Sequence, residues 1–243
     1  MQLIKLDATD STSAYLKNLM LQQETEDFTV VQAHTQYAGR GQMGTRWLSE
    51  PGKNLTFSLL KKHAQFFARD QFCMTMLTSM GVFAALKVLS VPDLRVKWPN
   101  DILSGPSKIC GILIENITTG SLIQSSVIGI GLNVNQKDFG TLEKVSSLQL
   151  VLGYPLDLEE VLQLLLIHLK DTFKLLQIQE VEEIRSAYEA LLFRKDKPST
   201  FTNREGEYFM GFIRGVSPEG KLRVELEDKA LRLFDLKELQ LLY

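Results

Sequence analysis

A glycine-rich segment with an arginine inside it is the first part of the sequence whose residue types could bind an anion. Residues 39–44 match the dinucleotide-binding pattern G-x-G-x-x-G. That pattern also needs a helix opening on the last glycine and an acidic residue about 20 positions later. The residues after Gly44 make a poor helix, and positions 59–62 are leucines and lysines. A dinucleotide fold is therefore excluded, which leaves a phosphate- or carboxylate-binding loop around Arg40 or a basic surface turn.

Polar residues also stand at the ends of other predicted elements. Residues 10–13 (Asp-Ser-Thr-Ser) open a predicted helix, where they could cap the helix, bind a ligand or do both. Residues 97–101 (Lys-Trp-Pro-Asn-Asp) are a short strand that breaks at a proline, with an amide and a carboxylate after the break. Lys108 opens the strand 108–115, and a glycine-bearing strand leads to Asn133. A lone lysine at a strand end is usually a solvated surface residue, so Lys108 needs its neighbours to indicate chemistry.

Taken together, these segments resemble the biotin–protein ligase family. The motifs are DSTS at 10–13, QYAGRGQMGTRW at 36–47, KWPND at 97–101, KICGILIE at 108–115 and IGIGLNV at 128–134. The resemblance spans roughly residues 1–195, and KWPND is an unusual and therefore specific signal. It implies an enzyme that joins biotin to AMP using ATP, releases pyrophosphate, and passes biotin to a lysine of a carboxylase's biotin carboxyl carrier domain.

The resemblance also implies a fold. This is an α+β fold with a mixed central β-sheet flanked by helices, like the catalytic fold of class II aminoacyl-tRNA synthetases and biotin–lipoate ligases. A small SH3-like β-barrel follows at the C-terminal end. The catalytic pattern begins by residue 10, so the expected form is monofunctional, without the N-terminal helix-turn-helix domain that makes some relatives repressors.

Site residues follow from the resemblance position by position. The residues implied to contact biotin are Ser11, Thr12, Ser13, Gln36, Gly39, Arg40, Gly41, Gln42, Lys108 and Gly111. Those implied for ATP and the adenylate are Arg40, Gln42, Trp47, Asn100, Lys108 and Asn133. Trp47 and Asn133 would hold the adenine ring, and Trp98 is expected to be a core residue.

The implied catalytic residues are Lys108, Arg40 and Asp101. The two cations would oppose the negative charge that develops at the α-phosphate, and Asp101 could receive the proton of the acceptor lysine. Magnesium is expected to be held mainly by the phosphates, near Asp101, without a direct protein ligand. Two positions depart from the family pattern. The family often has arginine at the position of Gln42 and asparagine at the position of Ser13. Both side chains still form hydrogen bonds, but the missing arginine bears on how tightly the adenylate is retained.

Composition places this chemistry in an ordinary globular protein. The 243 residues are 44% hydrophobic and carry a formal net charge of −2, which gives no support to a general nucleic-acid binder. Cys73 and Cys110 are too few for a disulfide framework and are expected to act as small hydrophobes in a reduced, cytoplasmic protein. No apolar run is long enough for a bilayer. We expect a monomer or weak homodimer that binds neither DNA nor membranes.

Hydrophobic periodicity predicts the elements that position these residues. Strands are predicted at 2–6, 28–33, 54–60, 94–97, 108–118 and 122–134, the last two joined by a turn at Thr119-Gly120. Helices are predicted from residue 10, over 69–89, from 157 to 177 and over 182–193. After a charged linker at 195–198, about five short strands predict the small barrel. The predicted domains are therefore 1–195 and 196–243.

Two other functions remain open. The chain could be a lipoate–protein ligase, which has related chemistry, although KWPND and GRGQMG favour biotin. It could also be a non-catalytic biotin-binding module, such as a sensor or scaffold, but the presence of Lys108, Arg40 and the Asn100–Asp101 pair favours activity. None of the three histidines has an evident base or metal as partner, so packed or solvated imidazoles are expected.

Overall fold

A seven-stranded mixed sheet forms the centre of the computed structural model, which describes residues 2–243, with the backbone alone at position 43. Its strands are β1 (Leu3–Thr9), β2 (Val30–Gln36), β3 (Leu55–Lys62), β4 (Leu94–Lys97), β5 (Asp101–Ser104), β6 (Ser107–Thr119) and β7 (Leu122–Leu132). They are arranged in the order β1-β2-β3-β7-β6-β5-β4. β1 and β2 run parallel, and the other neighbouring strands are antiparallel. The β6–β7 hairpin therefore brings two of the motifs side by side.

Helices cover both faces of this sheet. They are α1 (Thr12–Gln22), α2 (Phe72–Val88), α3 (Leu148–Leu152), α4 (Leu158–Ile178) and α5 (Val181–Ala190). Successive strand residues point to opposite faces. Val31, Leu60 and Val127 pack around Leu16 of α1. The residues next to these on the same strands point to the other face of the sheet. They belong to the larger core that contains α2, and they are Val30, Leu59 and Ile128.

The second helix is the central helix of that larger core. It packs against α4 and α5 and against β4, β5 and β6. With the 3-10 turn before it, the stretch Ala68–Val88 is long and apolar enough to cross a membrane by length and composition, and 61% of its most apolar window is buried inside the protein. A helix that is apolar on all sides is typical of a protein interior as well as of a membrane span.

A five-stranded antiparallel sheet follows α5. Its strands are β8 (Pro198–Asn203), β9 (Tyr208–Val216), β10 (Leu222–Leu226), β11 (Leu231–Phe234) and β12 (Leu239–Leu242), in the order β11-β10-β9-β8-β12. Phe201 and Val224 are among its fully buried residues. The whole sheet lies beyond the predicted linker, and the division of the chain at residue 195 stays a prediction.

Glu189 and Trp98 are among the residues that join this C-terminal region to the rest of the protein. Glu189 of α5 accepts a hydrogen bond from the backbone nitrogen of Val216 at 2.8 Å and pairs with Arg223 at 3.0 Å. Trp98 donates from Nε1 to the carbonyl of Gly220 at 2.8 Å. The expectation that Trp98 is a core residue is only partly met, because this residue is half-buried and its indole nitrogen bonds the second sheet.

Most predicted elements agree with the structure to within a few residues, and the exceptions are short or shifted. β2 runs over Val30–Gln36 rather than 28–33. The short elements β5 and α3 were not predicted. Because Lys97 of β4 pairs with Asp101 of β5, the KWPND motif is a hairpin loop rather than a simple end of a strand. The peptide bond between Trp98 and Pro99 in this loop is cis.

Candidate functional site

A cavity of about 570 Å³ lies beside the N-terminus of α1, and the C-terminal sheet forms part of its wall. Most of the residues predicted for the site line it: Ser11, Thr12, Ser13, Gln36, Arg40, Gly41, Gln42, Trp47, Asn100, Asp101, Lys108 and Gly111. Within the described part of the chain, the predicted residues Gly39 and Asn133 are not part of its lining. The structure therefore gathers residues that are up to a hundred positions apart in sequence.

One end of the cavity is a cluster of buried hydroxyl groups at the start of α1. Ser11 is the N-cap residue, yet its side chain makes no capping hydrogen bond to the described residues of α1. Gln36 takes over that task, since its Oε1 accepts a hydrogen bond from the backbone nitrogen of Thr12 at 2.8 Å. Helix capping therefore does not account for the Ser11 hydroxyl, which is available to a ligand.

Ser58 of β3 joins this cluster and was not predicted. Its hydroxyl lies 2.7 Å from that of Thr12 and 2.9 Å from that of Ser13. Gly129 lies opposite on β7, where an added Cβ would be 2.9 Å from the Ser13 hydroxyl. The signal for Ser58 was a hydroxyl among the apolar residues Phe57, Leu59 and Leu60, because a buried polar group needs a partner.

The floor of the cavity is made by two glycines that face each other across the central hairpin. Gly111 of β6 pairs with Gly131 of β7. A Cβ at Gly131 would lie 2.4 Å from the indole ring of Trp47, and one at Gly111 would lie 3.2 Å from it. Lys108 Nζ lies 5.8 Å from the centre of this ring. A ring resting on bare backbone next to a lysine suits the stacking of a flat ligand ring.

Lys108 and Asp101 form an ion pair at the other end of the cavity, with Nζ and Oδ1 2.7 Å apart. Their side chains keep 32% and 22% of their exposure, so both charges are only partly desolvated. Asn100 precedes the carboxylate and donates its amide hydrogen to the carbonyl of Ile112. This bond fixes the hairpin loop to β6, so Asn100 has a structural task in addition to lining the cavity.

Arg40 is paired with a carboxylate that was not predicted as its partner. Its two terminal nitrogens lie 3.0 and 3.3 Å from the oxygens of Glu115 on β6. Lys17 of α1 binds the same carboxylate at 2.8 Å. The glycine loop itself closes through a bond from the nitrogen of Gly41 to the carbonyl of Thr45 at 2.7 Å. The loop is thus a compact turn tied to β6 through Arg40.

The two predicted residues outside the cavity wall lie close behind it. Asn133 is buried and donates to the carbonyl of Ser146 at 3.0 Å, while its Oδ1 atom has no hydrogen-bond partner among the residues described. Such an oxygen can accept an N–H group from a ligand. Gly39 accepts a hydrogen bond from the nitrogen of Trp47 at 3.0 Å. This hydrogen bond indicates that Gly39 positions Trp47.

Neither cysteine offers a reactive thiolate. Burial raises the pKa of Cys73 to about 12 and raises the pKa of Cys110 well above its usual range. Both side chains are buried and free of disulfides, and so act as small hydrophobes, as predicted. Among residues 2–243, no three His, Cys, Asp or Glu side chains converge on a possible metal site.

Comparison with known proteins adds to this geometry. The Biotin/lipoate A/B protein ligase family matches residues 6–133, more than half of the chain. A biotin--[acetyl-CoA-carboxylase] ligase from Paracoccus denitrificans is 30% identical over 224 residues, which cover 89% of this chain and 91% of that protein. The bifunctional ligase/repressor BirA of Bacillus spizizenii is 28% identical over 94% of this chain and 70% of its own length.

A solved structure shares the fold. The biotin protein ligase from Aquifex aeolicus, in complex with biotin and ATP, superposes with a TM-score of 0.81 at 24% identity, covering 99% of this chain and 98% of that one. This likeness confirms the predicted α+β fold with a mixed sheet, and the antiparallel C-terminal sheet agrees with an SH3-like unit. From the family match and the relative in Paracoccus denitrificans, the chain belongs to the Biotin/lipoate A/B protein ligase family.

Proposed function

We propose that this protein is an ATP-dependent biotin–protein ligase. It activates biotin to biotinyl-5'-AMP and then transfers biotin to a lysine of a biotin carboxyl carrier domain. The observation that carries the proposal is the lining of one cavity, which combines a buried cluster of neutral hydrogen-bonding groups with two cations, Lys108 and Arg40. Biotin has the same polarity, with a neutral ureido group at one end and a carboxylate at the other.

The hydroxyl cluster holds the ureido group in this proposal. Ser11, Thr12, Ser13 and Gln36 offer both donors and acceptors, as a cyclic urea requires. Ser58 holds the hydroxyls of Thr12 and Ser13 in place by hydrogen bonds. Because the cluster is buried and neutral, a matching ligand exchanges its bonds to water for bonds to protein, whereas an apolar head group would leave hydroxyls unpaired.

Lys108 and Arg40 hold the biotin carboxylate and the α-phosphate at the other end, with Gln42 beside them. A carboxylate oxygen attacks the α-phosphorus of ATP, a new P–O bond forms, and the bond to the leaving pyrophosphate breaks. Both reactants are anions, so cations fixed in a partly desolvated site lower the barrier where charge accumulates. Trp47 and the free oxygen of Asn133 hold the adenine ring.

Magnesium enters with ATP in this proposal. Asp101 is the acidic side chain beside Lys108, and it already pairs with that lysine. One such carboxylate suits an ion that is held mainly by phosphate oxygens. When bound, the ion would neutralise phosphate charge, and Asn100 and Asp101 are the residues of this chain that would lie near it.

The second step needs the adenylate to be kept from water. We assign this purpose to the glycine loop, of which Arg40, Gly41, Gln42, Thr45 and Arg46 line the cavity. An acceptor lysine attacks the acyl carbon, a C–N bond forms, and the bond to the AMP oxygen breaks. The amine loses a proton in this step, and we assign its acceptance to Asp101.

The cellular setting belongs to the same proposal. We place the protein in the cytoplasm, where carboxylases present their carrier domains, and we expect a monomer or weak homodimer that binds neither DNA nor a membrane.

Incubation with biotin, ATP and magnesium tests the activity. Mass spectrometry is expected to detect biotinyl-AMP, with pyrophosphate released only when biotin is present. When a biotin carboxyl carrier domain is also present, one lysine of that domain should become biotinylated. Binding of biotin without pyrophosphate release would indicate a non-catalytic module instead.

Lipoate is the alternative substrate within the same family. Its dithiolane ring offers no strong hydrogen-bonding groups, so it would leave the hydroxyls of the cluster unpaired. We therefore expect a clear preference for biotin when the two acids compete for adenylation. A preference for lipoate would overturn the choice of substrate while leaving the chemistry of activation intact.

A further inference from the structure

We propose that Glu115 is a positioning residue that anchors Arg40 and so preorganises the glycine loop for an anionic ligand. The identity of that ligand rests on the proposed function, whereas the anchor itself rests on contacts within this chain. Glu115 lies on β6, four residues after Gly111 of the cavity floor. Alternation along the strand turns residues 111, 113 and 115 to one face, which α1 covers in part.

Glu115 is the meeting point of three elements that build the cavity. Its two oxygens bind the two terminal nitrogens of Arg40, which belongs to the loop. One of the same oxygens binds Lys17 at 2.8 Å, and Lys17 belongs to the helix whose N-terminus carries the hydroxyl cluster. The exposed fractions of the Arg40 and Glu115 side chains are 41% and 27%, so this bidentate pair is partly shielded from water.

The anchor leaves Arg40 able to bind a ligand. A guanidinium has five N–H donors, and Glu115 occupies two of its nitrogens. Arg40 also lines the cavity. Two cations around one carboxylate leave a net positive charge, so the junction still attracts an anion. Glu115 thus restrains Arg40 without cancelling its charge.

Anchoring has a physical benefit for binding. A free arginine at the tip of a glycine loop has many conformers, and fixing them costs free energy when the ligand binds. The pair with Glu115 restricts these conformers before a ligand binds. We therefore expect loss of the anchor to weaken binding of biotin and of the adenylate, and to loosen the loop in the absence of any ligand.

Trypsin measures the loop directly, because it cleaves after arginine. Glu115→Ala is expected to increase the rate of cleavage after Arg40 by about three- to fivefold, the scale of one partly exposed bidentate pair. Cleavage after Lys229, in the distant β10–β11 turn, serves as the internal reference. Glu115→Gln keeps an acceptor without the charge and should give an intermediate rate.

Lys17→Met is the matched control. It removes the other partner of Glu115 and leaves Arg40 untouched, so the carboxylate should hold Arg40 at least as firmly. Cleavage after Arg40 should therefore not increase in this variant. An equal increase in Lys17→Met and Glu115→Ala would mean that general loosening of the junction explains the result, and the proposal would be overturned.

A double-mutant cycle on the KM for biotin completes the test. Glu115→Ala should raise this KM about three- to fivefold in the native background and should have no further effect when Arg40 is already alanine. Equal effects in both backgrounds would show that Glu115 does not act through Arg40. If no variant ligates biotin but cleavage still rises in Glu115→Ala, the anchor stands and the proposed function fails.

Discussion

The two ends of the cavity satisfy their polar groups in different ways. At the hydroxyl end, Thr12, Ser13 and Ser58 are buried and bonded to one another, on a helix start and a central strand. The cations of the cavity, Lys108 and Arg40, are instead partly exposed and held by acidic partners. Buried neutral hydroxyls need hydrogen-bond partners within the protein, whereas a partly solvated ion pair can exchange its partner at little cost. The hydroxyl cluster is therefore set by contacts within the protein, whereas Lys108 can exchange Asp101 for a substrate group while Glu115 holds Arg40 in place.

The largest effect is expected from Lys108→Ala, at the charged end. Removing one group that stabilises charge in the transition state should lower adenylate formation by on the order of 10²- to 10³-fold. Single-turnover measurement of biotinyl-AMP formation gives the rate. Because Lys108 is partly exposed, the melting temperature should change little. A near-native rate would remove Lys108 from the mechanism.

A smaller effect is expected from Ser58→Ala, at the hydroxyl end. The change leaves the hydroxyls of Thr12 and Ser13 without their shared partner, at a cost of about 1–3 kcal/mol. We expect the KM for biotin to rise about tenfold with a smaller change in kcat. Ser126→Ala is the control, because Ser126 is equally buried but bonds His63 and Asn116 instead. A similar rise in KM in both variants would mean that only stability was affected.

Gln42→Arg should change the retention of the intermediate rather than its formation. It adds a cation to the loop beside the proposed phosphate position, and a single partly exposed charge pair is worth up to about fivefold in a dissociation rate. Release of biotinyl-AMP, followed by its hydrolysis in solution, should slow accordingly. Faster release from the arginine variant would contradict the proposed position of the loop.

The smallest effect on binding is expected from pH, which should change stability instead. Burial, and Lys61 nearby, lower the pKa of His63 from 6.5 to about 4. The neutral histidine thus contributes stability that is full above pH 6.5 and is lost as the pH falls toward 4, because the unfolded chain takes up the proton first. The melting temperature should fall over this range, and less so in His63→Gln. The hydroxyl cluster does not titrate, so the affinity for biotin measured by calorimetry should stay nearly constant while the fold is intact.

The sequence predicted the positions of the motifs better than the contacts among them. The helix that begins after Asp157 was found to within a residue at each end, because its cap and its periodicity are local signals. β5 has four residues and no alternation of its own, and it exists because it pairs with β4 and β6. Short strands of this kind depend on tertiary context.

The partners of the predicted site residues were the other part that the sequence did not reveal. Ser58 is 46 residues from Thr12, and Glu115 is 75 residues from Arg40. Which residues meet over such distances depends on strand register, and a shift of one residue would turn either side chain to the opposite face. The motifs therefore indicated the chemistry, and only the fold showed what holds Arg40 and the hydroxyls in place.

A crystal structure of the protein with biotin and ATP would test the central claim most directly, namely that both ends of one cavity bind one acid–nucleotide intermediate. We predict that the ureido group lies within hydrogen-bonding distance of Ser11 and Gln36, with the carboxylate or the acyl phosphate between Lys108 and Arg40. The adenine ring should lie against Trp47. Biotin or nucleotide bound away from this cavity, with Ser11 and Lys108 contacting neither, would contradict the account.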